Sequence, residues 1–207
     1  MYEEPLHFRE NRPLQAMVAW LVAFWAAMAI SPVYRFDWFL ENILVGIYAF
    51  LLIFSYRRFR FSNVSYLLFS VFMTLHLVGA HYTYSETPLG FWLQEWFNLE
   101  RNHYDRLVHF SYGLLIAYPF REVLVRVITV AAPWSSFVTV NLVLSFSAFF
   151  ELVEALIAVI VSPEAGAAYL GTQGDVWDAH HDMFLALSGA VIAMTVTGII
   201  GRSVRPR

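Results

Sequence analysis

Long apolar stretches alternate with short polar segments along the chain, and this pattern predicts membrane-spanning helices. Six stretches approach the roughly 20 helical residues that cross the hydrocarbon core of a bilayer. They cover approximately residues 14–30, 38–55, 64–80, 105–121, 133–161 and 178–200. We therefore predict an all-α, polytopic integral membrane bundle of about six transmembrane helices, with a single transmembrane domain over residues 1–207.

The composition agrees with a membrane protein and excludes several kinds of chemistry. Of the 207 residues, 59% are hydrophobic and 14% are charged, a balance that disfavours a soluble domain or a disordered chain. The net charge of −3 gives no indication of nucleic acid binding. Because the chain has neither Cys nor Lys, disulfides, thiolate metal sites and lysine Schiff bases are excluded.

The arginines predict the orientation of the bundle, since cytoplasmic loops retain positive charge. Ten arginines flank one side of the predicted spans and three flank the other. The ten are Arg9, Arg12, Arg57, Arg58, Arg60, Arg121, Arg126, Arg202, Arg205 and Arg207, and the three are Arg35, Arg101 and Arg106. Both termini are therefore expected inside, in agreement with an even number of spans.

Ionisable residues in the predicted spans lie at one depth, towards the outer leaflet. His76 lies about 12 residues from the inner end of the third span, or ~18 Å at 1.5 Å per residue. Glu151 and Glu154 lie near the outer end of the fifth span, while Asp105 and Asp178 begin the fourth and sixth. Because such residues are costly in lipid, we interpret them as functional-site candidates.

The spacing of these residues indicates a site for a divalent metal ion. Asp105 and His109 are separated by four residues and Glu151 and Glu154 by three, so each pair shares a helix face. The candidate ligands are His76, Asp105, His109, Glu151, Glu154, Asp175, Asp178 and Asp182. Carboxylates and imidazoles without thiolates suit Zn, Mn, Fe or Mg. Glu151 and Asp105 are candidate acids or bases, and Arg106 is a candidate for positioning an anion.

Structural interpretations remain open for several of these residues. Glu151 and Glu154 are also expected to form ion pairs if they lie beside Arg106 and His109. Asp105 and Asp178 stand where helix N-caps are favoured. The tyrosines at positions 82 and 84, and the aromatic segment 89–99, are interpreted as anchors at the membrane interface.

Four sequence blocks resemble the YjdF-like family of bacterial inner-membrane proteins. The blocks are residues 76–84 (HLVGAHYTY), 105–110 (DRLVHF), 151–154 (ELVE) and 170–178 (LGTQGDVWD), followed by Asp182-Met183. The resemblance covers essentially the whole chain. It implies a polytopic fold in the bacterial inner membrane, and the family has no established activity.

A more distant resemblance is to VanZ-like proteins, which are linked to glycopeptide antibiotic resistance. Their Asp-Lys-x-x-His-Phe motif is similar to Asp105 through Phe110, with Arg106 in the Lys position. Their Glu-rich helix resembles the segment around Glu151, with Glu154 where a Gln is common. Their Asp-x-x-x-Asn motif resembles residues 178–182, with Asp182 in place of Asn. These departures make the chain more acidic, which favours a metal.

Three functions fit these observations. The first is a metal-dependent hydrolase or transferase that acts on a lipid-linked or envelope-precursor substrate from the outer leaflet. The second is a non-catalytic protein or transporter that binds a cation or an amphiphile, and the third is a purely structural cluster. Polar residues towards the inner side are sparse and mild, mainly Asn141, Ser145 and Thr195, which counts against a transporter.

Overall fold

The structure, a computed structural model, describes residues 6–132 and 134–203. Its regular structure is α-helical in this part of the chain, which confirms the predicted class. The helices are α1 (Arg12–Met28), α2 (Arg35–Ser55), α3 (Asn63–Tyr82), α4 (Pro88–Phe97), α5 (Tyr104–Arg126), α6 (Trp134–Ile160), α7 (Pro163–Leu170) and α8 (Asp178–Ser203). Pro133, Arg205 and Arg207, which the sequence predictions include, lie outside the described residues.

In the part of the chain that the structure describes, four helices are long and apolar enough to cross a membrane, namely α2, α3, α6 and residues Asp178–Gly201 of α8. The first and fourth predicted spans correspond to α1 and α5, which do not meet that standard. At 17 residues, α1 is only about 26 Å long. In α5, charged residues at both ends and polar residues between them lower the hydropathy. A count of six spans and the inward orientation of the termini therefore remain predictions.

The low hydropathy of α5 has a structural reason, because this helix lies at the centre of the bundle. It packs against α3, α6 and α8, while α1 covers the other face of α3. A helix surrounded by protein needs no apolar surface for lipid, so polar side chains are tolerated along its faces. The helix α2 lies at the periphery, against α3 and α7.

Small residues bring α5 and α8 into close contact. A Cβ atom at Gly113 would lie 1.9 Å from the carbonyl oxygen of Ala186, and one at Gly189 would lie 2.3 Å from that of Phe110. Ala186 and Ala190 are fully buried at the same crossing. Small residues let helices in lipid approach closely, because their side chains leave room for the neighbouring backbone. The close approach aligns the beginnings of α5 and α8.

The end of the bundle opposite the predicted acidic site contains an acid whose hydrogen bonds are satisfied. Glu122 of α5 is fully buried. Its carboxylate accepts hydrogen bonds from the backbone N–H of Ser62 at 2.8 Å, from the Ser62 hydroxyl at 2.9 Å, and from Ser65 and Arg126. Because Ser62 is the N-cap of α3, Glu122 joins α5 to the beginning of that helix. This acid therefore has a structural role.

Candidate functional site

Three predicted ligands converge where α5 and α8 begin. One ligand atom each from Asp105, His109 and Asp182 lies within 4.8 Å of the others. Asp105 and His109 occupy successive turns of α5, with Nε2 of His109 3.5 Å from Oδ1 of Asp105. Asp182 lies one turn inside α8 and is 2% exposed. We refer to Asp105, His109 and Asp182 as the acidic triad site.

Glu151 of α6 lies on the other side of the His109 ring. Its Oε1 is 3.7 Å from Nδ1 of His109, so the two imidazole nitrogens face carboxylates of different helices. A carboxylate behind a histidine fixes the orientation of a ring that binds metal through its other nitrogen. Glu154, one turn further along α6, is within electrostatic range of Asp105 and Glu151.

Two buried oxygens at the site have no hydrogen-bond donor among the described residues. They are Oδ1 of Asp182 and Oε1 of Glu151. Buried polar atoms in folded proteins are almost always hydrogen-bonded, so unpartnered acceptors indicate a missing partner such as a proton or a metal ion. The contrast with Glu122, whose carboxylate has four donors, shows that the fold satisfies a buried acid elsewhere.

The predicted ligands Asp175 and Asp178 have arginine partners. Arg101 donates to Asp178 with an Nη1–Oδ1 distance of 2.7 Å, and Arg106 forms an ion pair with Asp175. The backbone N–H of Trp177 also donates to Asp175, and this bond, together with His181 and Arg106, holds the pKa of that carboxyl below its usual range. In the structure these two aspartates therefore compensate arginines rather than join the acidic triad site.

The two arginines differ in their free hydrogen-bonding capacity. Arg101 also donates to the carbonyl oxygen of Thr172 at 2.8 Å, yet its Nε and Nη2 atoms are buried without acceptors. Arg106 has one such atom, Nε. Arg101 is thus better placed than Arg106, the residue favoured by the sequence, to hold an anionic group.

The helix-cap interpretation of Asp105 does not match the structure. The helix α5 begins at Tyr104 with His103 at the cap position, and Asp105 lies within the first turn. The backbone N–H of Tyr104 is instead bonded to Oδ1 of Asn102 at 3.0 Å. The carboxylate of Asp105 therefore does not cap the helix, and it faces His109.

His76 is buried, but it has its own set of partners. Its Nε2 lies 3.2 Å from the carbonyl oxygen of Glu41, and its Nδ1 lies 2.6 Å from the hydroxyl of Tyr84. A carbonyl oxygen only accepts, so Nε2 carries the proton and the Tyr84 hydroxyl donates to Nδ1. Both nitrogens are engaged, and His76 would have to release one bond to bind a metal ion.

Tyr84, which the sequence suggested as an interfacial anchor, is directed into the bundle instead. Thr83 and Tyr84 have φ values of 53° and 54°, and this left-handed turn folds the Tyr84 ring back over Gly79. Burial raises the pKa of the Tyr84 hydroxyl, and the charges of Glu41, Asp105 and Glu154 raise it further. The Tyr84 ring lies 6.1 Å from that of His76 and 6.2 Å from that of Tyr104, which places it between α3 and the beginning of α5.

Sequence reasoning also missed two acids of α2. Asp37 and Glu41 are 4% and 5% exposed, and they are the buried residues of that helix. The available signal was their separation of four residues where an apolar span begins, because this spacing puts both carboxylates on one face of the helix. They were overlooked because Asp37 stands just before the predicted span and Glu41 close to its beginning.

Comparison with known proteins shows which protein family the chain matches. Residues 13–203 match the model of a family described as "Predicted membrane protein (DUF2238)". The chain belongs to this family. It is also 39% identical over 163 residues to the inner membrane protein YjdF of Escherichia coli (strain K12), which covers 78% of each chain. This confirms the YjdF-like resemblance, and no solved structure matches the chain.

Proposed function

We propose that the protein binds a divalent metal ion at the acidic triad site, on the periplasmic side of the bacterial inner membrane. The observation that carries this proposal is the convergence of Asp105, His109 and Asp182 within 4.8 Å, with an unpartnered Oδ1 on the deeply buried Asp182. Two carboxylates and one imidazole suit a hard or borderline ion such as Zn, Mn, Fe or Mg.

The proposed arrangement in the membrane follows the sequence prediction, with about six spans and both termini in the cytoplasm. The four long apolar helices and the inner-membrane relative support a multi-pass protein of that membrane. The short α1 and the central α5 would complete six spans as elements shielded by their neighbours. The segment α4, whose Trp92 and Trp96 are exposed, would lie along the outer interface.

The chemistry that such a site supports best is hydrolysis or group transfer on an envelope-facing amphiphile. A bound metal would supply an activated water. Glu151 would hold and exchange a proton at Nδ1 of His109, from which it lies 3.7 Å away. The unpartnered Nε and Nη2 of Arg101 would bind a phosphate or carboxylate of the substrate.

The second candidate function is non-catalytic binding of a cation or an amphiphile at the same residues. A transporter is less well supported, because alternating access requires polar groups that lead towards the inner side. Asn141, Ser145 and Thr195 donate to carbonyl oxygens of their own helices, at 2.8 Å in each case. These side chains therefore offer no continuous path from the site to the cytoplasm.

A metal titration tests the proposal. Chelator-treated protein is titrated with Zn²⁺ or Mn²⁺, and the melting temperature is measured at each concentration. A ligand that binds only the folded state at 100 times its Kd stabilises by about 2.7 kcal/mol, so a clear rise is expected. Asp182→Asn should lose this rise, whereas Glu86→Gln, which neutralises an exposed acid, should keep it. The same rise in Asp182→Asn would contradict the site.

A further inference from the structure

The helix α2 has an unusual burial pattern. Its buried residues are Asp37 and Glu41, whereas large apolar side chains such as Phe39, Ile43, Phe50 and Ile53 are 49% or more exposed. A lipid-facing helix is normally held to its bundle by apolar or small residues. In this one, two carboxylates face the protein, where burial without a counter-charge is costly.

Within residues 6–132 and 134–203, no arginine forms an ion pair with either of these carboxylates. Among the residues that the structure describes, the ionic neighbour of Glu41 is His76, at 4.0 Å, whose two nitrogens are already engaged. Oδ2 of Asp37 is buried and lacks a donor. The arginines of the site are directed to Asp175 and Asp178 instead. Asp37 and Glu41 of α2 therefore lack a cationic partner that donates hydrogen bonds among the described residues.

The Tyr84 hydroxyl lies near Glu41, because it and the carbonyl oxygen of Glu41 contact the same His76 ring. The Tyr84 hydroxyl uses its proton on His76, which leaves its oxygen lone pairs free to accept. The helix α7, which contains Tyr169, packs against α2 and α6. The surroundings thus offer oxygen acceptors from α2 and from the segment that follows α3.

The geometry favours an ammonium group over a second metal ion. A single ion needs ligand atoms close to one another, and within the described ranges three such groups come within 4.8 Å only at the acidic triad site. A primary ammonium donates three hydrogen bonds of about 2.8 Å in different directions and therefore suits more widely spaced acceptors.

An apolar groove runs along α2 from Asn42 to Ala49. It has a volume of about 350 Å³, lies between α1, α2 and α3, and is lined by Leu21, Val22, Val45, Gly46, Met73 and Leu77. A Cβ atom at Gly46 would meet nothing within 4 Å. At one end, Nε1 of Trp25 donates to Asn42, the residue after Glu41, at 2.7 Å.

We propose that Asp37 and Glu41 bind the primary ammonium headgroup of a bilayer lipid whose acyl chain occupies this groove. Charge complementarity selects the occupant, because the groove is apolar and its lining begins at Asn42, the residue that follows the buried Glu41. A lipid bound in this way would place its amine headgroup beside the acidic triad site. The inference therefore names a substrate class, and only in that respect does it rest on the proposed function.

Competition among lipids with identical acyl chains tests this inference. Purified protein is equilibrated with equimolar dioleoyl phosphatidylethanolamine, phosphatidylcholine and phosphatidylglycerol, and retained lipids are counted by native mass spectrometry. Phosphatidylethanolamine should be retained about tenfold over phosphatidylcholine, whose quaternary ammonium donates no hydrogen bond, a ratio that corresponds to ~1.4 kcal/mol. Equal retention of the three lipids by the wild type would overturn the proposal, without any need for a variant.

Variants test which residues produce the preference for phosphatidylethanolamine. Asp37→Asn with Glu41→Gln should abolish the preference, and Glu86→Gln should retain it. Gly46→Phe should reduce retention by filling the groove, whereas Gly198→Phe, also in open space, should not. An unchanged preference in the double variant, or displacement of the lipid by free ethanolamine, would contradict the proposal. Metal content of the same samples reports separately on Asp105, His109 and Asp182.

Discussion

At the residue scale, the contact between Tyr84 and His76 depends on the absence of a side chain at Gly79. The ring of Tyr84 lies where a Cβ atom of residue 79 would stand, 2.5 Å from the Cε1 atom of the tyrosine. The left-handed conformations of Thr83 and Tyr84 bring the ring there, and the hydroxyl then reaches His76. Conformations of this kind in residues other than glycine cost energy and are frequent at functional sites.

Gly79→Ala should therefore displace Tyr84 and weaken its bond to His76. We expect a loss of about 1–3 kcal/mol in unfolding free energy, as for other overpacked positions. Thermal unfolding of the purified variant measures this, with Gly198→Ala as the control, since its Cβ would meet nothing within 4 Å. Equal melting temperatures for the two variants would show that Tyr84 is not packed on Gly79.

At the element scale, the crossing of α5 and α8 holds the acidic triad site together. Asp105 and His109 belong to one helix and Asp182 to the other, so their separation depends on how closely the backbones approach. Gly113 and Gly189 permit that approach. Small residues permit close helix packing in lipid, but which helix packs against α8 depends on the fold.

Gly113→Ala should separate the two helices, because its Cβ would lie 1.9 Å from the carbonyl oxygen of Ala186. We expect destabilisation of about 2 kcal/mol or more and a loss of metal affinity of at least about tenfold. The melting temperature and the metal titration curve of the same preparation check both effects. Full metal affinity in a destabilised protein would mean that the ligands do not depend on this crossing.

Acids at the two ends of the bundle should respond oppositely to neutralisation. Glu122→Gln removes the charge that pairs with Arg126 and should lower stability by about 3 kcal/mol. Glu154→Gln relieves repulsion from Asp105 and Glu151 and should raise the melting temperature of the metal-free protein by about 2–4 °C. A similar loss in both variants, measured by thermal unfolding without metal, would favour a purely structural cluster.

At the scale of the whole molecule, the sequence predicted the helical class, the membrane and most of the converging residues. Asp105, His109 and Asp182 were found because ionisable residues in apolar stretches stand out. The pairing of Asp175 and Asp178 with Arg101 and Arg106 depends on a loop conformation and on packing between distant segments, which spacing along a helix does not contain. The burial of Asp37 and Glu41 likewise depends on where α2 docks.

The orientation of the bundle is testable because the chain has no Cys. A single cysteine introduced at the exposed Glu95 of α4 should react with a membrane-impermeant maleimide added to intact spheroplasts. A cysteine in place of Arg58 should react only after lysis, because the arginine-rich side is expected in the cytoplasm. The reverse pattern would place the acidic triad site in the inner leaflet and contradict its access from the periplasm.

The central claim is that α5 and α8 hold a metal ion, and the metal content of the protein tests it most directly. Protein purified in detergent without chelators is analysed by elemental mass spectrometry, with wild type beside a variant that combines Asp105→Asn and Asp182→Asn. We predict near-stoichiometric Zn, Mn, Fe or Mg in the wild type and its loss in the folded variant. Absence of metal from both proteins, or equal content in both, would contradict the account.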